Sequence, residues 1–216
     1  WSTARGYLRP ARKRANLTVE TGAFANRVLF EGRRAVGVEY QVGDETRIVR
    51  PNAEVILALG AFNSPQLLQL SGVGPAALLR EHGIDVVADM PGVGAGMQDH
   101  YLIRMVYRCK QPVTLNDVMQ SRVRSVGTLL RYALFRRGMV AMAAVPTGGF
   151  FRSDPSRDTP DLQHHIVLYS NGGATGKHGS TLHEFSGLSA TIIMLRPESR
   201  GAVEIGSADP RDAPLI

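Results

Sequence analysis

Apolar and polar residues alternate in short runs along the N-terminal quarter of the chain. The runs span residues 17–21, 24–31, 35–40 and 46–50, and glycines lie between them. Alternation with a period of two is typical of β-strands, because successive side chains of a strand point to opposite faces. The pattern therefore predicts an antiparallel meander, preceded by a helix over residues 2–14.

The alternation stops at residues 54–60, where an unbroken apolar run ends in Gly60 and Ala61. Such a run is typical of a strand buried on both faces of a layered α/β fold. We therefore predict a buried strand here. Small residues at its end would let a ligand approach the backbone, since open α/β sheets bind ligands at the carboxyl ends of their strands. An ordinary core strand that ends at a turn glycine is the alternative interpretation.

Helical and strand patterns follow each other along the rest of the chain. Prolines favour the first turn of a helix, so Ser64-Pro65 and Pro75 predict two helix starts. A third helix is predicted over residues 117–137 from its apolar periodicity. Strand patterns lie at 101–109, 162–169, 188–195 and 202–205. The order predicts a mixed α/β fold in two regions, residues 1–107 and 108–216.

Composition excludes several classes of protein. The net charge of +6 comes mainly from arginines that look scattered, without the interleaved aromatic residues of single-strand binders, so we expect no nucleic-acid partner. The single cysteine, Cys109, allows no intrachain disulfide and fits a reducing compartment, from which we expect a cytoplasmic protein. The longest apolar runs are far too short for a transmembrane segment.

Residues 60–74 carry small residues at fixed spacing. They read Gly-Ala-Phe-Asn-Ser-Pro-Gln-Leu-Leu-Gln-Leu-Ser-Gly-Val-Gly. This order resembles, position by position, the second signature of the glucose–methanol–choline (GMC) oxidoreductases. The resemblance continues before the signature at 34–40 and after it at 90–94, 197–203 and 207–214. It is nearest to the choline-dehydrogenase and alcohol-dehydrogenase branch of the family.

The resemblance implies an FAD-dependent enzyme that oxidises the CH–OH group of an alcohol and passes a hydride to the flavin. It also implies a fold for the two regions. Residues 1–107 would form part of a Rossmann-like FAD-binding domain with a β-meander. Residues 108–216 would form part of an antiparallel-sheet substrate domain that runs into the start of the family's C-terminal portion.

The resemblance further implies particular FAD contacts. Ala25 matches a meander residue, usually Val, that contacts the adenine end through its backbone. The segment from Ala58 through Gly60 to Ala61 would lie along the ribose and pyrophosphate. Asp99 and His100 match a segment that approaches the flavin, although Gly96-Met97 replaces the usual Asn-Leu before it.

No catalytic residue is assigned within the chain. The family's Gly-rich fingerprint is expected before residue 1 and its catalytic histidine after residue 216. His164 and His165 lie next to each other in a predicted strand, so at most one faces a pocket. We interpret His165 as lining the substrate pocket and neither as the base. His178 and His183 lie in a loop without zinc-ligand spacing, so no metal site is expected.

The substrate is expected to be a small alcohol, and the sequence leaves its electron acceptor open. Choline dehydrogenases have a glutamate shortly before a Gly-Gly-Phe motif. Residues 143–147, which precede Gly148-Gly149-Phe150, contain no acid, which favours a neutral alcohol. The alternative function is a non-catalytic, soluble α/β binding module that shares the scaffold. The specificity of the signature favours the oxidoreductase.

Overall fold

The computed structural model describes residues 2–143, 145–172 and 181–216. The chain divides into two compact units. The first contains Trp1–Met97 and Arg200–Ile216, and the second contains Gln98–Ser199. The division differs from the predicted boundary after residue 107. The strand at 102–108 pairs within the second unit, and the C-terminal residues return to the first.

The first unit begins with a π-helical turn, Ala4–Leu8, that continues into the short helix α1 (Arg9–Ala11). Three antiparallel strands follow: β1 (Ala23–Glu31), β2 (Arg34–Val42) and β3 (Glu45–Val49). They form one sheet in the order β1-β2-β3. The predicted meander is thus present, although the run at 17–21 forms no strand.

Helix α2 (Gly60–Leu70) follows the meander and leads into β4 (Val73–Gly74), α3 (Ala76–Glu81), β5 (Ala88–Asp89) and β6 (Ala95–Met97). Strands β4 and β5 form a parallel pair. Helix α2 begins four residues before the predicted Ser64-Pro65 start, so Pro65 lies inside it.

The predicted buried strand at residues 54–60 is absent from the described structure. Residues 54–58 have no regular secondary structure, and Ile56 is 78% exposed. A strand buried on both faces needs neighbours that pair with its backbone and cover its side chains. None of the described strands pairs with this run.

The described residues of the second unit form a four-stranded antiparallel sheet and two helices. Its elements are β7 (Leu102–Arg108), α4 (Leu115–Gln120), α5 (Arg122–Phe135), a 3-10 turn at Met139–Ala141, β8 (Thr147–Phe151), β9 (Leu162–Val167) and β10 (Gly187–Met194). The strand order is β7-β10-β9-β8. The chain then returns to the first unit, where β11 (Gly201–Ala202) pairs with β6.

The helix predicted over residues 117–137 is two helices that meet at Ser121. The backbone of Ser121 is extended, and the Ser121 side chain accepts a hydrogen bond from Arg124 N at 3.3 Å. Serine favours this capping arrangement because its hydroxyl satisfies an amide that the helix leaves without a partner. Apolar periodicity alone did not reveal the interruption.

Polar side chains join α2 to its neighbours in the core of the first unit. Gln69 is fully buried, and its Nε2 donates to Val203 O at 3.0 Å while its Oε1 accepts from Ile205 N at 2.9 Å. Ser71 accepts from Val28 N at 2.8 Å and donates to Leu67 O. These bonds connect α2 to β1 and to the C-terminal segment.

Two glycines allow the backbones in this core to approach each other closely. Gly72 (φ +85°) and Gly94 (φ +87°) both adopt left-handed conformations. A Cβ atom on Gly72 would overlap the carbonyl oxygen of Asp85, and one on Gly94 would overlap that of Val203. Both positions therefore require glycine for steric as well as conformational reasons.

We predict that Gly94→Ala lowers the free energy of unfolding by about 3 kcal/mol or more, because the new methyl group meets Val203 O and the Gln69 carboxamide. Gly92→Ala is the matched control, since a Cβ there meets nothing within 4 Å. Urea unfolding of both variants measures the difference. Equal stability of the two would contradict this account of the loop.

The second unit also depends on buried polar groups. Asn116 is fully buried and bonds to both sides of the loop before β10: its Nδ2 donates to Ser170 O and His183 O, each at 2.8 Å. Its Oδ1 accepts from Ser170 N at 2.9 Å. Asn116 therefore fixes α4 against the ends of β9 and β10.

Helix α4 begins in a capping box formed by Thr114 and Asp117. Burial acts to raise the pKa of Asp117, but hydrogen bonds from the Ser186 hydroxyl and from the Thr114 amide and hydroxyl together lower it below its ordinary value. The distances to Asp117 Oδ2 are 2.7 Å from Ser186 and 2.9 Å from each Thr114 donor. The ionised carboxylate thus stabilises the folded unit.

Because the pKa of Asp117 is lowered by folding, its contribution is present above the unfolded value of about 3.9 and is lost as pH falls through the folded value. We predict that Asp117→Asn costs about 1 kcal/mol at neutral pH and that the difference from wild type disappears in acid. Denaturation measured from pH 7 to acid tests this. Asp158→Asn removes an exposed charge from the same unit and should cost little throughout.

Candidate cofactor and substrate site

A cavity of about 420 Å³ in the first unit is lined by one predicted cofactor residue, Ala25. Ala25 is half-buried and lies beside an irregularity in the pairing of β1 with β2. Leu59, between the predicted contacts Ala58 and Gly60, lines the same cavity. The full lining is Ala23, Phe24, Ala25, Leu59, Asn63, Gln66, Leu67, Leu70, Pro210, Arg211, Asp212, Ala213 and Pro214.

The N-terminus of α2 lies at this cavity. Gly60 is left-handed (φ +88°), and a Cβ atom there would meet nothing within 4 Å, so the space beside it is open. Ala58 and Ala61 are exposed. Ser64 accepts from Leu59 N at 3.2 Å, and the first turn contains no acidic residue. The first amides of a helix lack partners within the helix and favour anions, which fits a pyrophosphate.

Arg211 supplies a positive charge to the cavity that the sequence analysis did not assign. Its guanidinium lies 5.4 Å from the centroid of the Phe24 ring, and its Nη2 donates to Gln41 Oε1 at 2.7 Å. Gln66 donates to Asp212 O at 2.8 Å and so holds this segment against α2. The only sequence signal was the resemblance of residues 207–214 to the start of the family's C-terminal portion.

Asp99 and His100 lie at the start of the second unit, whereas Ala25, Ala58, Gly60 and Ala61 lie in the first. Both are exposed, and Asp99 Oδ1 accepts from His100 N at 2.8 Å. The backbone around them has no regular secondary structure. Their predicted approach to the flavin stays a prediction.

His164 and His165 lie on β9, opposite Gly149 and Gly148 of β8. A Cβ on Gly149 would lie 3.0 Å from His164 Cε1, and one on Gly148 would lie 3.2 Å from His165 Cδ2. Each ring therefore packs over its cross-strand glycine, and the two rings lie on opposite faces of the sheet. This arrangement agrees with the expectation that at most one of the two histidines faces a pocket, and the assignment of His165 to the substrate pocket stays a prediction. His178 lies outside the described residues.

The described part of the second unit also contains a largely apolar cavity of about 360 Å³. One wall is formed by Met139, Val140, Met142, Ala143 and Pro146, and the rest by side chains from α4 and from the two residues that follow β9. The lining residues are Leu115, Met119, Met139, Val140, Met142, Ala143, Pro146, Leu168 and Tyr169, none of which carries a charge.

No helix among the described residues is long and apolar enough to cross a membrane. Helix α5, with 14 residues, is the longest described helix.

Comparison with known proteins identifies the class of this chain. A family profile described as GMC oxidoreductase matches residues 1–102. Over its whole length the chain is 40% identical to the oxygen-dependent choline dehydrogenase of Brucella ovis and 42% identical to that of Pseudomonas savastanoi pv. phaseolicola. It spans 38% and 37% of the length of these relatives.

The fold agrees with that assignment. The crystal structure of a formate oxidase superposes with a TM-score of 0.84 at 26% identity, over 95% of this chain and 40% of that one. The chain belongs to the GMC oxidoreductase family, as the signature predicted. The family and its FAD-containing structural neighbours also confirm the predicted cofactor, FAD.

We predict that Gly60→Val in the full-length protein lowers its flavin content, because a branched side chain would enter the open space beside the α2 N-terminus. Gly43→Val is the matched control, since Gly43 is also left-handed (φ +59°) with nothing near its Cβ position, but it lies in the β2–β3 turn. Valine is strained at both positions, since each has a left-handed φ. Flavin absorbance per protein, measured after purification, should fall for Gly60→Val alone, and unchanged flavin content would disprove the assignment.

Proposed function

We propose that the full-length protein is an FAD-dependent oxidoreductase that oxidises the CH–OH group of a small alcohol. The observation that carries the proposal is the cavity that collects Ala25, Leu59 and the N-terminus of α2 at one place. The relatives named as choline dehydrogenases support the same class of reaction. FAD supplies the hydride acceptor.

The residues of this chain would bind and orient part of the cofactor. The backbone of Ala25 would contact the adenine end, and the amides at Gly60 and Ala61 would face the pyrophosphate at the positive end of α2. Arg211 adds a cation at the rim of the same cavity. No proton-transfer step is assigned to a residue of this chain.

We propose a neutral alcohol rather than choline as the substrate. A quaternary ammonium group is recognised by aromatic faces or a carboxylate. The apolar cavity of the second unit is lined mainly by Met, Leu, Val and Ala, with Tyr169 as its single aromatic residue and no acid. This lining suits an alkyl group better than a cation.

The proposed specificity can be tested with an isosteric pair of alcohols. One is choline, and the other is its uncharged analogue in which a quaternary carbon replaces the ammonium nitrogen. Anaerobic reduction of the flavin, followed by its loss of absorbance, should have the higher kcat/KM with the uncharged analogue. A preference for choline would contradict the neutral-alcohol proposal and leave the oxidoreductase proposal intact. A full-length protein that takes up no FAD would support the binding-module alternative.

His165 is proposed to line a substrate pocket on its own face of the sheet, since it is not among the residues that line the apolar cavity. We predict that His165→Ala raises KM by roughly two- to tenfold, the effect of losing one hydrogen bond of about 1 kcal/mol, and leaves kcat nearly unchanged. His164→Ala is the control, since its ring lies on the other face of the sheet beside Phe151, 5.9 Å away between ring centroids. Loss of flavin reduction in His165→Ala with intact substrate binding would instead indicate a role in the chemistry.

A further inference from the structure

Helix α5 is oriented with its apolar side outward. None of its residues is buried, and the half-buried ones are polar: Ser125, Thr128 and Tyr132. Ser125 Oγ donates to Val118 O at 2.7 Å and ties this polar side to α4. A helix on a protein surface ordinarily buries its apolar side, so this arrangement is the reverse of the usual one.

The outer side of α5 is a continuous aliphatic stripe. Val126, Leu129 and Leu130 are 56–57% exposed, and Leu134 and Val123 are 71% and 83% exposed. The spacing of three, four and seven residues places all five side chains on one side of the helix. In the described part of the chain, α5 contacts α4 and the 3-10 turn that follows it, neither of which covers the stripe.

The segment around this helix also holds the chain's excess of positive charge. Residues 118–153 contain six arginines and neither an aspartate nor a glutamate. The whole chain has 25 basic and 19 acidic residues, so the rest of it carries 19 of each. The net charge of +6 is therefore concentrated in this segment and is not scattered, as the sequence analysis had supposed.

The arginines surround the stripe. Arg122 lies at the start of α5, and Arg136 and Arg137 lie at its end. Arg124 and Arg131 are seven residues apart and so lie together beside the stripe, between it and the half-buried polar side of the helix. No ion pair among the described residues involves an arginine of this segment. The surface therefore combines exposed aliphatic side chains with uncompensated positive charge.

We propose that α5 is an in-plane anchor that binds the surface of an anionic lipid bilayer. Its 14 residues make a helix about 21 Å long, too short to cross a hydrocarbon core of about 30 Å. An amphipathic helix with arginines beside an aliphatic face inserts that face at the headgroup boundary while the guanidinium groups contact lipid phosphates. A neutral protein surface would cover the stripe but would leave the positive charge uncompensated.

Vesicle binding by the full-length protein tests the proposal. Flotation would compare vesicles of phosphatidylcholine alone with vesicles that also contain phosphatidylglycerol. We expect at least about tenfold stronger binding to the anionic vesicles, because several arginines would each gain from the negative surface. Added salt should weaken the binding. Failure to bind the anionic vesicles would overturn the proposal.

Two pairs of substitutions separate the apolar and the charged contributions. Leu129→Gln with Leu130→Gln removes the centre of the stripe and keeps good helix formers, and it should abolish flotation. Arg124→Gln with Arg131→Gln should lower binding to anionic vesicles at least about tenfold. The charge-matched control is Arg33→Gln with Arg50→Gln, both exposed in the other unit, and it should bind like wild type. If the leucine double variant does not fold, vesicle flotation of the arginine double variant tests the proposal.

Other occupants of the stripe would give different results. If another part of the full-length protein covers α5, its amides should be strongly protected from hydrogen exchange without vesicles, and the leucine pair should lower the Tm. If a second copy covers it, the leucine pair should convert a dimer into a monomer. Either result would refute the membrane-anchor proposal if the arginine double variant also bound anionic vesicles as strongly as wild type.

Discussion

The carboxamide of Gln69 connects parts of the first unit that lie 134 and 136 positions apart in sequence. It donates to Val93 O at 3.2 Å and to Val203 O at 3.0 Å, and accepts from Ile205 N at 2.9 Å. Each of these backbone groups would be left buried without a partner if the side chain were removed, which costs more than the bond itself contributes. The return of residues 200–216 to this unit therefore depends in part on one polar side chain in α2, alongside the β6–β11 pair and the bond from Gln66 to Asp212 O. Because Pro210–Pro214 then line the cavity beside Ala25, the candidate cofactor site depends on it as well.

The GMC signature contains two kinds of residue with different physical roles. Its first part, Gly60 to Ser64, begins α2 and lies at the cavity, where an open space and a helix N-terminus suit a ligand. Its second part, Gln69 to Gly74, joins α2 to β1, β4 and the C-terminal segment. Ser71 bonds to Val28 N at 2.8 Å, and Gly72 lets the chain pass the Asp85 carbonyl. This second part of the signature is therefore explained by packing, without any contact to a ligand.

Local patterns predicted the elements whose stability is local. The meander, β7, β9 and β10 alternate in sequence and form strands close to the expected positions. The strand predicted at residues 54–60 is absent from the described structure. A buried strand of that composition depends on neighbouring strands, which no short-range sequence pattern encodes. Gln69 and Asn116 were not predicted for a related reason. Polar residues are assigned to the surface by default, and only the tertiary structure reveals that these two are fully buried and hydrogen-bonded.

The sequence pattern also did not reveal which side of α5 faces outward. Its apolar periodicity predicted a helix correctly, but periodicity shows only that a helix has an apolar side and not which way that side faces. The direction follows from the groups that hold the helix in place. Ser125 bonds to α4, and Ser121 caps the first turn, so the polar side is fixed inward and the leucines face outward. Since the arginine excess lies in the same segment, the outward face is defined by both hydrophobicity and charge.

The candidate cofactor cavity uses the opposite combination: small residues, helix amides and a single arginine around an open space. The two units thus present surfaces suited to different partners, a phosphate-bearing cofactor in one and an anionic lipid surface in the other.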